Sequence, residues 1–122
     1  MTICVVGHSS PDTDSVTSAI ALAALLNATG KDAKACMQSA AADLNPESAM
    51  VLERFGLAAP EEISDAAGKE IALVDFSDIA QGPAGLSDAD VVTIVDHHKI
   101  GDVTTNNPIL FRAEPVGCTG TV

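Results

Sequence analysis

An aspartate and two histidines close a short apolar run: Val91-Val92-Thr93-Ile94-Val95 leads straight into Asp96-His97-His98. The same change from apolar to polar occurs twice earlier. Ile3-Cys4-Val5-Val6-Gly7 gives way to His8, with Asp12 and Asp14 just beyond, and Ile71-Ala72-Leu73-Val74 gives way to Asp75. Imidazole and carboxylate are ligands for divalent cations. Three runs of buried type that each release such groups at their C-terminal ends imply one shared metal site.

Among these groups a carboxylate can serve two cations, giving one oxygen to each. Asp75, a single acid between the other two clusters, is the candidate bridge. Two metals about 3.5–4 Å apart activate a water and hold the attacking and leaving oxygens of a displacement. The candidates include no thiolate, which suits Mn²⁺, Co²⁺, Fe²⁺ or Mg²⁺ better than a structural zinc. Each residue also has a plainer role. Asp14 or Ser15 is placed to cap a helix, and His8 is equally an ordinary loop histidine. Asp96 is read as bonding loop amides or orienting His97 from behind the ligands. Thr17 and Ser18 read as helix-face residues, Lys99 as solvated, and Phe55, Phe76 and Phe111 as packing residues. Co-occurrence at three strand ends outweighs these readings taken one at a time.

The elements that would position this set follow a βαβ pattern. Residues 2 to 7 read as a buried strand and residues 8 to 14 as a loop. A helix is expected from Ser15 to Ala28, stopped by Gly30. Its stretch Ala21 to Leu26 is apolar nearly all round, as in a helix covered on most sides. A second strand covers 33 to 37. Asn45-Pro46-Glu47 opens a second helix, with Pro at its first position, and Gly56 ends it. Strands are expected again at 71–74, 91–95 and 109–112, with loops at 76–89 and 101–108 and a connector at 57–70. Pro115 to Gly120 reads as a turn opening another helix. The fold class is α/β, a mostly parallel sheet of five strands with helices on both faces. In such sheets, ligands bind outside the carboxyl ends of the strands.

At 122 residues the chain is at most one domain, read as residues 1–122 and as incomplete at its C-terminal end. Three Phe and no Trp or Tyr leave an aliphatic core to be built from Val, Ile, Leu and Ala, which suits strands buried on both faces. Seventeen acids against six bases give a net charge of -11. A nucleic-acid binder shows a basic face, so nucleic acid is not an expected partner. Three cysteines without paired spacing point to a reducing compartment. The longest apolar stretch is far short of a membrane span and no leader pattern is visible. No membrane partner and a cytoplasmic location are expected.

Four stretches carry a resemblance: Gly7-His8-Ser9-Ser10-Pro11-Asp12-Thr13-Asp14-Ser15, Leu73-Val74-Asp75, Asp96-His97-His98-Lys99, and Arg112-Ala113-Glu114-Pro115-Val116-Gly117-Cys118-Thr119. Together they resemble the family II inorganic pyrophosphatases of the DHH phosphoesterase superfamily, over essentially the whole chain. Asp-His-His alone marks the superfamily; the Pro-Asp-Thr-Asp loop and the Arg-to-Thr run point to the pyrophosphatases. The resemblance implies that His8, Asp12 and Asp75 hold one Mn²⁺ (or Co²⁺), and that Asp14, Asp75 and His97 hold a second. It implies that His98 contacts phosphate and protonates the leaving group as a hydroxide activated by the two metals splits pyrophosphate. Mg²⁺ would accompany the substrate, and homodimers would pair through the edge strand near residues 109–113. A second, smaller domain with the Lys and Arg that clamp pyrophosphate, and a further metal-binding aspartate, are expected beyond Val122. Residues 1–122 alone are therefore expected to be inactive. Phe76 stands where the family often has His. The alternatives are a DHH-type phosphodiesterase acting on short oligonucleotides or cyclic dinucleotides, and a non-catalytic assembly module.

Overall fold

The structure, a computed structural model, describes residues Met1–Val122. Strand β1 (Ile3–Val6) sits near the middle of a sheet of six strands. The others are β2 (Ala33–Met37), β3 (Glu61–Glu62), β4 (Glu70–Val74), β5 (Asp90–Asp96) and β6 (Leu110–Ala113). Their order across the sheet is β3-β2-β1-β4-β5-β6, and every pairing is parallel. The sixth strand is the two-residue β3. It lies in the connector, where an Ala-Pro-Glu-Glu stretch carries no apolar alternation to announce it. Only its pairing with Cys36 and Met37 makes it a strand.

Side-chain alternation divides the core in two. Ile3, Val5, Ala72 and Val74 face helix α1 (Thr13–Ala28), meeting its Ala19 and Ala23. Cys4, Val6, Ile71, Leu73 and Ile94 face the other way, onto Ile63, Ala66, Phe76, Leu86 and Ala89 of the connecting segments. The expected helices on both faces are thus present in reduced form. α1 covers one face, whereas short 3-10 turns at Ile79–Gln81 and Leu86–Asp88 lie in the segments that cover the other. Val5, Val6, Ile71, Leu73 and Ile94 are all at most 1% exposed, and each such burial contributes about 1.5–3 kcal/mol.

Three local expectations are corrected. α1 begins at Thr13, and its cap is Asp12, whose Oδ1 accepts from the Ser15 amide at 2.9 Å. Neither Asp14 nor Ser15 has that task. The apolar stretch of α1 is not covered on most sides either, because Leu25 is 58% exposed. With Leu22 and Leu26 it lines a groove of about 490 Å³ shared with Leu110 and Val122. Phe55 and Phe111 are exposed, Phe55 lying under the Arg54 guanidinium at 5.5 Å, and Phe76 alone of the three phenylalanines is buried. Helix α2 (Pro46–Arg54) has Asn45 as its cap and Pro46 at its first position, as its sequence requires. The run after Pro115 makes a single 3-10 turn, Thr119–Thr121. No helix is long and apolar enough to cross a membrane.

Candidate metal centre

The chain turns from β2 and β3 on one side of β1 to β4, β5 and β6 on the other. β1 and β4 are therefore neighbours whose connections leave in opposite directions, the arrangement that opens a crevice at the strands' carboxyl ends. Val6 pairs with Leu73, and Val74 with Val95. This register brings His8, Asp75 and His97 to the same rim.

Asp75 is 1% exposed and occupies the centre. Its backbone is left-handed, with φ 69°, a conformation that costs a non-glycine residue about 1–3 kcal/mol and concentrates at functional sites. The Asp75 amide, donating to the Val95 carbonyl at 3.0 Å, helps to hold that turn. The two carboxylate oxygens have separate partners. Oδ2 accepts from the Ser15 hydroxyl at 2.8 Å and faces His8 Nε2 at 3.2 Å. Oδ1 faces His97 Nε2 at 3.1 Å and accepts from the Thr119 hydroxyl at 3.1 Å. Each histidine also has its own aspartate. Asp12 Oδ1 lies 3.7 Å from His8 Nε2, and Asp14 Oδ2 lies 3.4 Å from His97 Nε2.

Both rings are aimed by their far nitrogen. His8 Nδ1 meets the Ser9 carbonyl at 2.7 Å, and His97 Nδ1 meets the Val116 carbonyl at 3.0 Å. A carbonyl only accepts, so Nδ1 carries the proton in both, and Nε2 is the nitrogen left to bind a cation. The carboxylates hold protons on the rings when no cation is present. The hydrogen bond to Asp75 is the main cause that raises His8 to about 9, against the lowering effect of burial. Burial lowers His97 too, but the Val116 carbonyl and the charges of Asp75 and Asp14 carry it above its usual range. Burial acts to raise Asp14, yet the Thr119 amide, with Asp75, Gly120 and Ser18, holds it below the ordinary carboxylate range.

The ligand atoms of His8, Asp12 and Asp75 lie within 4.8 Å of one another, as do those of Asp75, His97 and His98. Two overlapping groups that share Asp75, built from imidazole nitrogen and carboxylate oxygen, fit a pair of divalent ions. Asp14 stands at the second group with both oxygens engaged, by the Thr119 and Gly120 amides and the Ser18 hydroxyl.

His98 lies at the mouth, its side chain 50% exposed. Asp96 Oδ1 accepts from the His97 and His98 amides and faces His98 Nδ1 at 2.8 Å. Asp96 thus bonds loop amides as expected, but the ring it orients is that of His98 and not His97. The loop after β5 is tied to the loop after β4: Gly101 N–H donates to Ser77 Oγ at 2.7 Å, and Ile79 N–H to Asp102 Oδ1 at 2.8 Å. A pocket of about 240 Å³ opens there, with His8, Asp75, Gln81, His98 and Lys99 in its wall.

Ser15 and Thr119 touch the central carboxylate and were not singled out by the sequence pattern. Ser18, read as an ordinary helix-face residue, donates to Asp14. Hydroxyls on a helix and at a turn carry no distinctive spacing, and only their places at the ends of two resembling stretches, Ser15 in the first and Thr119 in the last, hinted at a role.

The match to known proteins covers nearly the whole chain. The model of the DHH family, N-terminal domain, fits residues 2–122. The chain belongs to that family. It is 54% identical to a protein of Archaeoglobus fulgidus named "Probable manganese-dependent inorganic pyrophosphatase", over 98% of this chain and 40% of that protein. It is 49% identical to the manganese-dependent inorganic pyrophosphatase of Methanothrix thermoacetophila, over 98% of this chain and 38% of that protein. The crystal structure of a Methanococcus jannaschii protein named "putative family II inorganic pyrophosphatase" superposes with a TM-score of 0.86 at 45% identity. That superposition takes in 98% of this chain and 36% of the other. The chain thus spans about two fifths of the length of the curated relatives it matches.

Proposed function

We propose that these 122 residues form the metal-binding domain of a manganese-dependent inorganic pyrophosphatase, which hydrolyses pyrophosphate to two phosphates. The observation that carries the reading is the division of Asp75, one oxygen toward His8 and the other toward His97. His8, Asp12 and Asp75 would hold one Mn²⁺, or Co²⁺ in its place, and Asp14, Asp75 and His97 the second. Such ions, when bound, lower the pKa of water and offset phosphate charge, with Mg²⁺ accompanying the substrate.

The chain's own residues have distinct tasks in this reading. Ser15 and Thr119 fix the plane of the Asp75 carboxylate through their hydroxyls. Asp96 fixes the proton of His98 on Nδ1, leaving Nε2 as the atom that exchanges a proton with the departing phosphate. The pocket wall has one Lys and no Arg. The additional cations that hold a pyrophosphate anion are on this reading supplied from a second domain, outside residues 1–122, and these residues alone turn over poorly or not at all. Homodimer formation through β6 is part of the same proposal, supported by an unpaired edge on which Leu110 is 65% exposed. A net charge of -11 supports the absence of a nucleic-acid partner, and three free thiols support a cytoplasmic location.

The test is to assay the full polypeptide containing this chain with Mn²⁺ against pyrophosphate, short oligonucleotides and cyclic dinucleotides in parallel. Phosphate release from pyrophosphate is expected. Turnover of the nucleotides without turnover of pyrophosphate would overturn the reading in favour of a phosphodiesterase.

A further inference from the structure

We propose that Gln38 is a positioning residue for His8, and through His8 for one of the two ion sites. The inference rests on the two-ion reading above. Gln38 follows β2 at the sheet rim beside β1, and its side-chain amide has two hydrogens to give. Both are used on carbonyls: Nε2 donates to the Gly7 carbonyl at 2.8 Å and to the Gln81 carbonyl at 2.9 Å. The same Gln81 carbonyl accepts from the Ser9 amide at 2.8 Å. The residues on either side of His8 are thereby tied to one point, Gly7 through its oxygen and Ser9 through its nitrogen. The Ser9 carbonyl in turn takes the His8 Nδ1 proton at 2.7 Å. With its backbone and far nitrogen both fixed, the ring presents Nε2 to Asp75 Oδ2 at 3.2 Å.

Only a donor fits this place. A glutamate of the same shape would set charge against two carbonyl oxygens with no hydrogen between them, and a methionine would leave both carbonyls without that donor. The role is confined to one half of the site. His97 is aimed by the Val116 carbonyl, and Asp14 is held by Thr119, Gly120 and Ser18. None of those anchors involves Gln38. A residue serving only the fold would affect both halves alike.

The experiment titrates the full polypeptide containing this chain, as wild type, Gln38→Glu and Gln38→Met, with MnCl₂ by calorimetry. The imidazole ¹⁵N resonances of the metal-free proteins are recorded alongside. One of two Mn²⁺ ions is expected to weaken roughly 10–100-fold in both variants while the other is unchanged. The His8 ring resonances should shift and those of His97 should not. Wild-type affinity for both ions with unmoved His8 resonances overturns the proposal. Equal weakening of both ions, or failure of both variants to fold, assigns Gln38 to the fold and also overturns it. If the wild type takes up no Mn²⁺, the metal reading falls, and the His8 resonances alone decide on Gln38.

Discussion

Gly7 and Ser15 approach so closely that a Cβ placed on Gly7 would lie 2.5 Å from the Ser15 Cβ and 2.8 Å from its Oγ. The strand end and the first turn of α1 therefore meet with no side chain between them, and that contact sets how near Ser15 comes to Asp75. Gly7→Ala must push the helix start away or distort the strand end. The expected cost is about 1–3 kcal/mol, as for other insertions into packed interiors. Urea unfolding of the wild type and the variant measures it. Weaker Mn²⁺ uptake should accompany the lower midpoint, because Asp12 and Asp14 move with the same turn. An unchanged midpoint would mean that the contact opens freely.

The division of Asp75 between two histidines separates it from Asp14, which stands at one of them. Asp75→Asn keeps the shape and tolerates the left-handed backbone at φ 69°, so it changes charge with little else. It should reduce uptake of both Mn²⁺ ions, whereas Asp14→Asn should reduce mainly one. Binding stoichiometry by calorimetry or by electron paramagnetic resonance distinguishes the two. Equal losses from the two changes would remove the bridging role of Asp75.

The proton on His8 gives the metal-free and metal-bound chains opposite pH dependence. His8 is raised from 6.5 to about 9, so the folded state binds this proton more tightly than the unfolded state does. Its contribution to stability is fully present below pH 6.5 and is lost as pH rises through about 9. His97, also raised, acts in the same direction. A bound cation requires the neutral ring, so Mn²⁺ must displace these protons and its affinity should climb across the same window. Thermal melts at several pH values, with and without Mn²⁺, should show the metal-free midpoint falling while the Mn²⁺-induced increment grows. An increment that shrinks with rising pH would exclude His8 as a ligand.

The strand ends were legible because β-branched and aliphatic runs stop abruptly at His8, Asp75 and Asp96, and parallel order then brings all three to one rim. Helix α2 was legible from Asn45 and Pro46, whose capping chemistry is local. What the sequence did not show depends on partners far along the chain. Ser15 and Asp75 are 60 positions apart, and Thr119 lies 105 from Asp14. Asp12 took the capping role expected of Asp14 or Ser15 because the chain enters the helix at Thr13, where Thr13 Oγ1 bonds Glu47 and Ser48 of α2. That anchor between two aspartates is a tertiary contact with no local signature. Asp96 aims His98 and not His97 because the Val116 carbonyl already takes the His97 Nδ1 proton.

The three cysteines offer a readout of the fold that does not involve the metal centre's charges. Cys4 and Cys36 are 5% and 2% exposed on neighbouring strands, whereas Cys118 is only partly covered in the last turn. Burial, reinforced by the adjacent Cys4, pushes the Cys36 thiol up to about 12, which leaves almost no thiolate at neutral pH, and the thiolate is the reactive form. A disulfide reagent at neutral pH should therefore label Cys118 quickly and the other two only when the sheet opens. The slow phase then reports unfolding, and Mn²⁺ should retard it, since a ligand that binds only the folded chain lowers the open population. Mass spectrometry of peptides after timed quenching assigns each thiol. Rapid labelling of Cys36 would show that the β1–β2 side of the sheet opens independently of the rest. A slow phase indifferent to Mn²⁺ would show that the ion does not bind the folded rim.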